Sequence, residues 1–223
     1  ARRLVLRSLV SNFGLRGGKG LWNLTGQRAR GSLLVSNAAY DWTSTVPVLE
    51  AKGWRIFFIN DRFFQIKSAV DGDRKTVEWE KLVLHDPQMA DCFQCQGISF
   101  YPLLQDRFAW VLATAPGDSK RIMLQMSQLI KKHQIKAVLT GTSATFASHA
   151  ISQAARYLGL PVIQWQHGFV GGRNGNIQLN EYNDLMTASV LFTYGDGVSA
   201  AFRPFTGKFP SEVVSIGAVS LDR

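Results

Sequence analysis

The sequence predicts an α/β protein with a doubly wound, mostly parallel sheet, and three observations lead to this fold class. The chain has 223 residues, of which 46% are hydrophobic and 18% charged, and this composition excludes a disordered tail, a coiled coil and a collagen-like fibre. Residues 32–60 read as strand, loop, helix, glycine and strand, which is a βαβ unit with parallel strands. From Asp118 onward, short apolar strands again alternate with helices.

The first half of the chain contains an amphipathic helix followed by the βαβ unit. Apolar residues from Leu4 to Phe13 recur at helical spacing, and glycines between residues 14 and 20 end that helix. The runs SLLVSN and WRIFFIN are short and apolar, as buried strands are, and Gly53 separates the second run from a helix. Between about residues 71 and 116 the pattern is irregular and defines no element. The predicted elements are helix 2–13, strand 32–37, loop 37–44, helix 45–52 and strand 54–60.

The second half repeats the strand and helix rhythm. Ile122, Met126 and Leu129 fall on one face of a helix, and the apolar run PVIQWQ follows a second helix that Gly159 ends. The alternation continues to the end of the chain and predicts further parallel strands. The predicted elements are helix 119–133, strand 137–140, helix 142–158, strand 161–166, loop 167–176, helix 178–188, strand 190–194, helix 196–205 and strand 213–216.

The formal net charge of +9, from 25 basic and 16 acidic residues, is concentrated at one end of the chain. Residues 1–31 contain seven Lys and Arg and no acidic residue, so we expect a basic amphipathic segment over 1–31 and an α/β domain over 32–223. Such a segment suits a peripheral contact with an anionic membrane surface, and a helix packed on the sheet with its arginines in water explains it equally well. Phe13 and Trp22 are its only aromatic residues, which argues against nucleic acid as a partner.

Several kinds of segment and site are excluded. No apolar run approaches the ~18–20 residues of a transmembrane helix, and the run Leu4–Leu6 is too short for the centre of a signal peptide. Two cysteines do not make a disulfide framework, so a cytoplasmic setting is expected. Cys92 and Cys95 have zinc-knuckle spacing, but no second pair supplies the other ligands, and we predict neither a metal nor a cofactor. The glycine cluster GLRGGKG lacks two required residues of a phosphate-binding P-loop.

Three loops follow the carboxyl ends of predicted parallel strands, where ligands collect in open sheets. Loop 37–44 carries the carboxylate of Asp41 between two aromatic residues, and loop 141–145 carries hydroxyls where a helix begins. Loop 167–176 begins with His167 and contains four glycines and an arginine. Together these groups predict a ligand site. Taken singly, Asp41 is equally well explained as a helix cap, and His167 as a buried, hydrogen-bonded residue.

A series of motifs lies in order between Lys136 and Asp222. They are the strand AVLTG, the alanine-rich helix ATFASHAISQAARYLGLP, a strand ending in QHG, a glycine-rich loop, the stretch NEYNDLMTASVLFTYGDGVSAAF and the end VVSIGAVSLDR. In this order they resemble the second half of the N-terminal domain of GT-B-fold glycosyltransferases, most of all those of bacterial surface-polysaccharide biosynthesis. The earlier stretch SLLVSNAAYDWTSTVPVLEAKGWRIFFIN is similar to the opening βαβ unit of that domain. The resemblance covers residues 32–223, with a poor match in the middle.

The resemblance implies a division of labour between two domains. Such enzymes move a sugar from a nucleotide-activated donor to an acceptor hydroxyl, usually without a bound metal or other cofactor. Residues 32–223 would then be a Rossmann-like acceptor-binding domain, one half of a GT-B fold, whose partners are a glycan or lipid-linked acceptor and a nucleotide-sugar donor. The donor would be held by a C-terminal domain that this chain lacks, so the chain alone is expected to be inactive. An enzyme of this kind would work in the cytoplasm, at the inner face of the plasma membrane.

The resemblance also implies roles for individual residues. Asp41 would be the general base that takes the proton of the attacking hydroxyl. His167 and Gly168, with Thr142 and Ser143, would line the cleft facing the donor phosphates, where His167 would stabilise the leaving diphosphate. The remaining expected substrate-binding residues are Tyr40, Thr43, Gly171, Gly172, Arg173, Glu181 and Asp184, the last two also as braces of the glycine-rich loop. A nucleotide-sugar 2-epimerase-like domain and a non-catalytic module for anionic polymers stay open as alternatives.

Overall fold

A parallel sheet forms the centre of the protein, as the alternating pattern predicts. In the computed structural model, the described residues are 30–36, 40–59, 81, 83–166 and 181–217. Within them, six strands lie side by side in the order β2–β1–β5–β6–β7–β8, and every neighbouring pair is parallel. The predicted fold class is therefore confirmed, and the strand bounds differ from the predicted ones by at most two residues. The strands are β1 (Gly31–Ser36), β2 (Trp54–Ile59), β5 (Ile135–Thr140), β6 (Val162–Trp165), β7 (Val190–Thr193) and β8 (Glu212–Ser215).

Two compact units make up the chain, one of residues 1–65 and 122–223 and the other of residues 66–121. The first unit contains the sheet. The described part of the second contains α2 (Pro87–Cys92) and a small antiparallel hairpin of β3 (Gln94–Cys95) and β4 (Ile98–Ser99). This unit contains the whole stretch, about residues 71–116, in which the sequence defines no element. The expected division into segments 1–31 and 32–223 stays a prediction, because residues 1–29, with the predicted helix 2–13, lie outside the described residues.

Helices cover both faces of the sheet, which is what doubly wound means. The helices of the first unit are α1 (Tyr40–Ala51), the end of α3 (Tyr101–His133), α4 (Phe146–Tyr157) and α5 (Asp196–Phe202). Consecutive residues of β1 point to opposite faces, so Leu33 packs in a core with Trp42 of α1, whereas Leu34 packs with Met126 of α3 and Ile151 of α4. Strands buried on both faces are continuously apolar, and this explains why SLLVS shows no alternation.

Three predicted helices have different bounds in the structure. The helix predicted at 45–52 begins at Tyr40, the one predicted at 119–133 begins at Tyr101, and the one predicted at 142–158 begins at Phe146. Helix α3 continues through Pro116 and Gly117, which precede the predicted start of this helix. Helix α4 starts later because Thr145 and Ser148 form a reciprocal capping box, in which each side chain accepts a bond from the other residue's backbone N–H.

The predicted helix 178–188 was wrong in its length. Within the described residues, only a π-helical turn, Glu181–Leu185, is present. Carbonyl groups that a helix would use internally accept bonds from outside the segment: Asn183 from Gln164, Met186 from Arg156, and Leu185 and Ala188 from Ser211. Tertiary hydrogen bonds thus replace the helical ladder here.

Candidate functional site

The strand order reverses between β1 and β5. From β1 the chain crosses to β2 on one side, and from β5 it crosses to β6 on the other side. At such a switch point the connections after the two central strands diverge to opposite faces and leave a crevice at the carboxyl edge. The segments that flank this crevice are the start of α1 and the loop 141–145. These are two of the three loops that the sequence predicts as a site.

The first turn of α1 lies at this edge and contains three of the predicted site residues. The backbone of Tyr40, Asp41 and Thr43 is helical, so Asp41 lies inside the turn and not at the capping position before it. Acidic residues are favoured in the first turn of a helix, so the sequence position of Asp41 suits this turn.

Trp42 fixes the start of α1 against the sheet. Its indole N–H donates to the carbonyl oxygen of Thr140, at the end of β5, over 2.7 Å. Its ring meets the ring of Trp165 edge to face at 5.1 Å and lies 6.3 Å from that of Phe192. The side chain is fully buried. The two sides of the switch point are therefore joined directly, and Asp41 is the neighbour of the residue that joins them.

A buried polar row crosses the carboxyl ends of three strands. Ser36 of β1, Thr140 of β5 and Gln164 of β6 are in register, and each comes two residues after an apolar residue that belongs to the core beneath α4. All three are at most 1% exposed. No described residue is a hydrogen-bond partner of the Ser36 hydroxyl. These three side chains show that the strands change from apolar core residues to polar residues at their carboxyl ends. Buried polar groups of this kind require hydrogen-bond partners.

Gln164 is the centre of a hydrogen-bond network beside this row. Its amide nitrogen donates to the Asn183 carbonyl oxygen at 2.7 Å and to Asp184 Oδ1 at 2.8 Å. Its amide oxygen accepts from the hydroxyl of Ser143 at 3.2 Å. The Ser143 hydroxyl also accepts from Thr187 at 3.0 Å and lies 3.3 Å from that of Ser152. The network connects β6, the loop after β5, α4 and the turn at 181–185.

The structure brings together some of the predicted site residues. Ser143 and Asp184 are both in the Gln164 network and fully buried, whereas Thr142 beside them is half-buried. The backbone of Glu181 lies in the adjoining π-helical turn. Their predicted contacts with substrate stay predictions. The predicted site residues outside the described residues are His167, Gly168, Gly171, Gly172 and Arg173.

Burial changes the protonation of Asp184. The side chain is 1% exposed, and this burial raises the pKa of its carboxyl to about 7, although the bond from Gln164 acts in the opposite direction. The group therefore gains or loses its proton near neutral pH. The neutral acid and the carboxylate can both accept the bond from Gln164.

The contribution of Asp184 to the free energy of unfolding is expected to fall as the pH rises from about 5 to about 7. Folded Asp184 keeps its proton up to a pKa of about 7, whereas the ordinary value is 3.8, so ionisation favours the unfolded chain in this window. At about 1.4 kcal/mol per pH unit the loss is at most roughly 3 kcal/mol, and the profile is flat above the folded pKa. Asp184→Asn removes this loss. Urea denaturation at a series of pH values measures both chains.

The wild type must be compared with Asp184→Asn because two histidines change the free energy of unfolding with pH in the opposite direction. The pKa of His133 and that of His149 are lowered from 6.5, mainly by burial, so their contribution to stability is lost as the pH falls. Both chains contain these histidines, and the difference between the chains isolates Asp184. A difference that does not change between pH 5 and 7 would contradict the assignment.

Gln164 and Trp42 are the residues that sequence reasoning missed. The sequence does contain a signal for Gln164, because it is a polar amide inside a strand that is otherwise apolar. Such an amide is buried only when its hydrogen bonds are satisfied, so it indicates a polar network. Trp42 gave no comparable signal, since nothing in the sequence indicates which distant carbonyl oxygen its indole N–H will reach.

The described residues contain no cluster of three or more His, Cys, Asp or Glu side chains that could hold a metal ion. Cys92 and Cys95 are both free and exposed, in the second unit. In the same described ranges, no helix combines the length and apolar character needed to cross a bilayer.

Comparison with known proteins gives matches in structure only. No protein-family model and no curated protein matches the sequence. The chain is similar to S. aureus MnaA in its co-structure with UDP (TM-score 0.45, 15% identity), to Acinetobacter baumannii MurG (0.37, 13%) and to UDP-N-acetylglucosamine 2-epimerase from Rickettsia bellii (0.43, 10%). These alignments cover 86%, 74% and 87% of this chain but 45%, 42% and 46% of those chains. The chain thus spans less than half the length of each matched structure, and its fold assignment rests on the sheet topology.

Proposed function

We propose that this chain is the acceptor-binding part of a glycosyltransferase that moves a sugar from a nucleotide-sugar donor to a hydroxyl of a glycan or lipid-linked acceptor. The observation that carries the proposal is the switch point between β1 and β5, which has the first turn of α1 on one side and the loop 141–145 on the other. The motif order described from the sequence supports the same assignment. Acceptor, donor and product are proposals about the longer protein of which this chain would be a part.

Asp41 is the proposed general base. It follows β1 at the crevice, in a helical turn that Trp42 holds against β5. Taking the proton from the acceptor hydroxyl as that oxygen attacks the sugar requires an ionised carboxylate within hydrogen-bond reach. Tyr40 and Thr43, in the same turn, would bind the acceptor beside it.

The loops after β5 and β6 would face the donor phosphates. Thr142 and Ser143 contribute the backbone of the loop 141–145, and His167 and Gly168 follow β6. Imidazole and backbone N–H groups can stabilise the negative charge that grows on a leaving diphosphate. Gly171, Gly172, Arg173 and Glu181 complete the proposed set of substrate contacts.

The proposed setting is the cytoplasmic face of the membrane. The seven basic residues of the segment 1–31 give it an attraction for anionic lipid, and each Lys or Arg near such a surface contributes about 1 kcal/mol. A lipid-linked acceptor would be presented at the same surface. The proposal includes no nucleic acid partner, metal or cofactor.

The test uses the longest natural protein that contains this chain. We expect it to release nucleoside diphosphate from one of a panel of UDP-, GDP- and CDP-sugars, and to do so only when an extract of lipid-linked and polysaccharide acceptors is added. Coupled detection of the diphosphate and mass spectrometry of the acceptor measure the two products. A free nucleotide sugar with an inverted 2-substituent and no diphosphate release would instead favour the epimerase. Absence of both reactions across the panel would overturn the proposal.

A further inference from the structure

The amide nitrogen and the amide oxygen of the Gln164 side chain are both hydrogen-bonded within the network. Both bonds of its amide nitrogen go to the turn at 181–185, to the Asn183 carbonyl oxygen and to Asp184 Oδ1, at 2.7 and 2.8 Å. Its amide oxygen accepts from Ser143 on the loop after β5. A primary amide has two N–H donors, so neither is left over. The side chain is 0% exposed, and water cannot substitute for these partners without opening the structure.

The same turn holds the backbone of the loop. The Asn183 carbonyl oxygen accepts from the backbone N–H of Ser143 at 3.2 Å as well as from Gln164. Where Asn183 lies therefore decides where the backbone of Ser143 lies. Asp184 is the next residue, and its carboxyl accepts the other N–H of the same amide group. The bond to Asp184 fixes the rotation of that amide and, through it, the position of the Asn183 carbonyl.

We propose that Gln164 and Asp184 are positioning residues, which hold the loop 141–145 in one conformation at the switch point without contacting substrate. The part of this statement that concerns substrate rests on the proposed function. The hold on the loop does not, because it can be measured on the chain without any ligand. Neutral Asp184 holds the loop more tightly than ionised Asp184 does. A buried carboxylate is costly, so ionisation favours opening of the turn at 181–185, in which water reaches the charge.

The charged surroundings of Asp184 leave the direction of this pH effect unchanged. β6 and the loop 141–145 contain no titratable residue. Helix α4 contributes His149, whose ring lies 4.4 Å from that of Tyr182 in the turn, and Arg156, which donates to the Met186 carbonyl oxygen. Glu212, at the start of β8, is exposed. Burial remains the largest cause of the raised pKa of Asp184, and the bond from Gln164 is the other.

The experiment measures hydrogen exchange at the Ser143 amide by NMR in the 223-residue chain, with rates corrected for their intrinsic pH dependence. In the wild type we expect the opening constant of this amide to rise at least about 10-fold between pH 5 and 7. Asp184→Ala should raise it about 10-fold at pH 5, because the amide of Gln164 loses a partner. Asp184→Asn keeps an acceptor oxygen and should restore slow exchange, without the rise between pH 5 and 7 that Asp184 causes.

Ser211→Ala is the matched control. The Ser211 hydroxyl donates to the carbonyl oxygens of Leu185 and Ala188, so its removal loosens the end of the same segment but leaves the Gln164 network intact. Exchange at Ser143 that rises equally in Ser211→Ala and Asp184→Ala would overturn the proposal, as would failure of Asp184→Asn to restore it. Should Asp184→Ala not fold, the wild type and Asp184→Asn decide alone, by the presence and absence of the pH dependence.

This outcome is separable from the proposed function. If the longer protein transfers no sugar but exchange at Ser143 behaves as described, the positioning role stands and the proposed function fails. If the longer protein transfers sugar but exchange at Ser143 does not depend on Asp184, the proposed function stands and the positioning role fails. In an active enzyme, Asp184→Ala should raise KM for the nucleotide-sugar donor by about 10-fold, and Asp184→Asn should restore the wild-type KM.

Discussion

Asp41→Asn is expected to lower turnover of the longer transferase by about 100- to 10,000-fold, the usual contribution of a general base. Asparagine has the shape of aspartate but cannot accept the proton of the attacking hydroxyl. Because the substitution keeps the side-chain size in the first turn of α1, KM for the donor should change little. Initial rates of nucleoside diphosphate release at saturating donor and acceptor measure the effect.

Asp196→Asn is the matched control for this substitution. Asp196 also lies in the first turn of a helix, α5, which follows β7, another parallel strand of the same sheet. Both substitutions remove a carboxylate from the positive end of a helix dipole, worth about 0.3–1 kcal/mol of stability. Only Asp41→Asn should affect turnover. Equal, small losses of turnover in the two variants would mean that Asp41 stabilises its helix and is not the general base.

Trp42→Phe is expected to destabilise the chain by about 1–3 kcal/mol more than Trp165→Phe does. The two tryptophans are in contact, are equally buried and would lose the same volume. They differ in their hydrogen bonds, since Trp42 donates to the Thr140 carbonyl oxygen. The indole nitrogen of Trp165 has no partner among the described residues, so its removal relieves an unsatisfied donor.

Urea denaturation of both variants at one pH measures this difference. Trp42→Ala sets the scale, with an expected loss of about 3–5 kcal/mol for a buried aromatic side chain. In an active enzyme, Trp42→Phe should also lower turnover, because the first turn of α1 would no longer be held against β5. Equal stability of the two phenylalanine variants would show that the bond to Thr140 contributes nothing net.

The predicted strands agree with the structure because their signal is local. A run such as SLLVS is buried on both faces in a parallel sheet, and its apolar composition alone indicates this. The positions of Asp41, Thr142 and Ser143 near one edge also follow from sequence, since every parallel strand ends at the same edge. The chain order of strands does not determine which two are neighbours, and the pairing of β1 with β5 is what makes these loops flank one crevice.

The helix bounds agree less well because their signals are not local. Pro116 and Gly117 look like a break, yet α3 runs through them for 33 residues. Residues 40–44 look like a loop, yet they are helical, in a turn whose tryptophan bonds to a residue 98 positions away. Intrinsic helix propensity amounts to at most ~0.7 kcal/mol for ordinary residues, ~1 kcal/mol for Gly and ~3 kcal/mol for Pro, so it predicts helix bounds only weakly.

The sequence by itself determined the parallel α/β sheet and its six strands, and it predicts the three segments where ligand-binding groups would collect. Each depends on apolar periodicity and on chain direction, which are properties of short stretches. Tertiary structure alone decided that Trp42 joins α1 to β5, that Gln164 joins Ser143 to Asp184, and that burial brings the pKa of Asp184 to about 7. Those depend on which distant residues meet in a place without water, where each buried polar group requires a partner that its own segment does not supply.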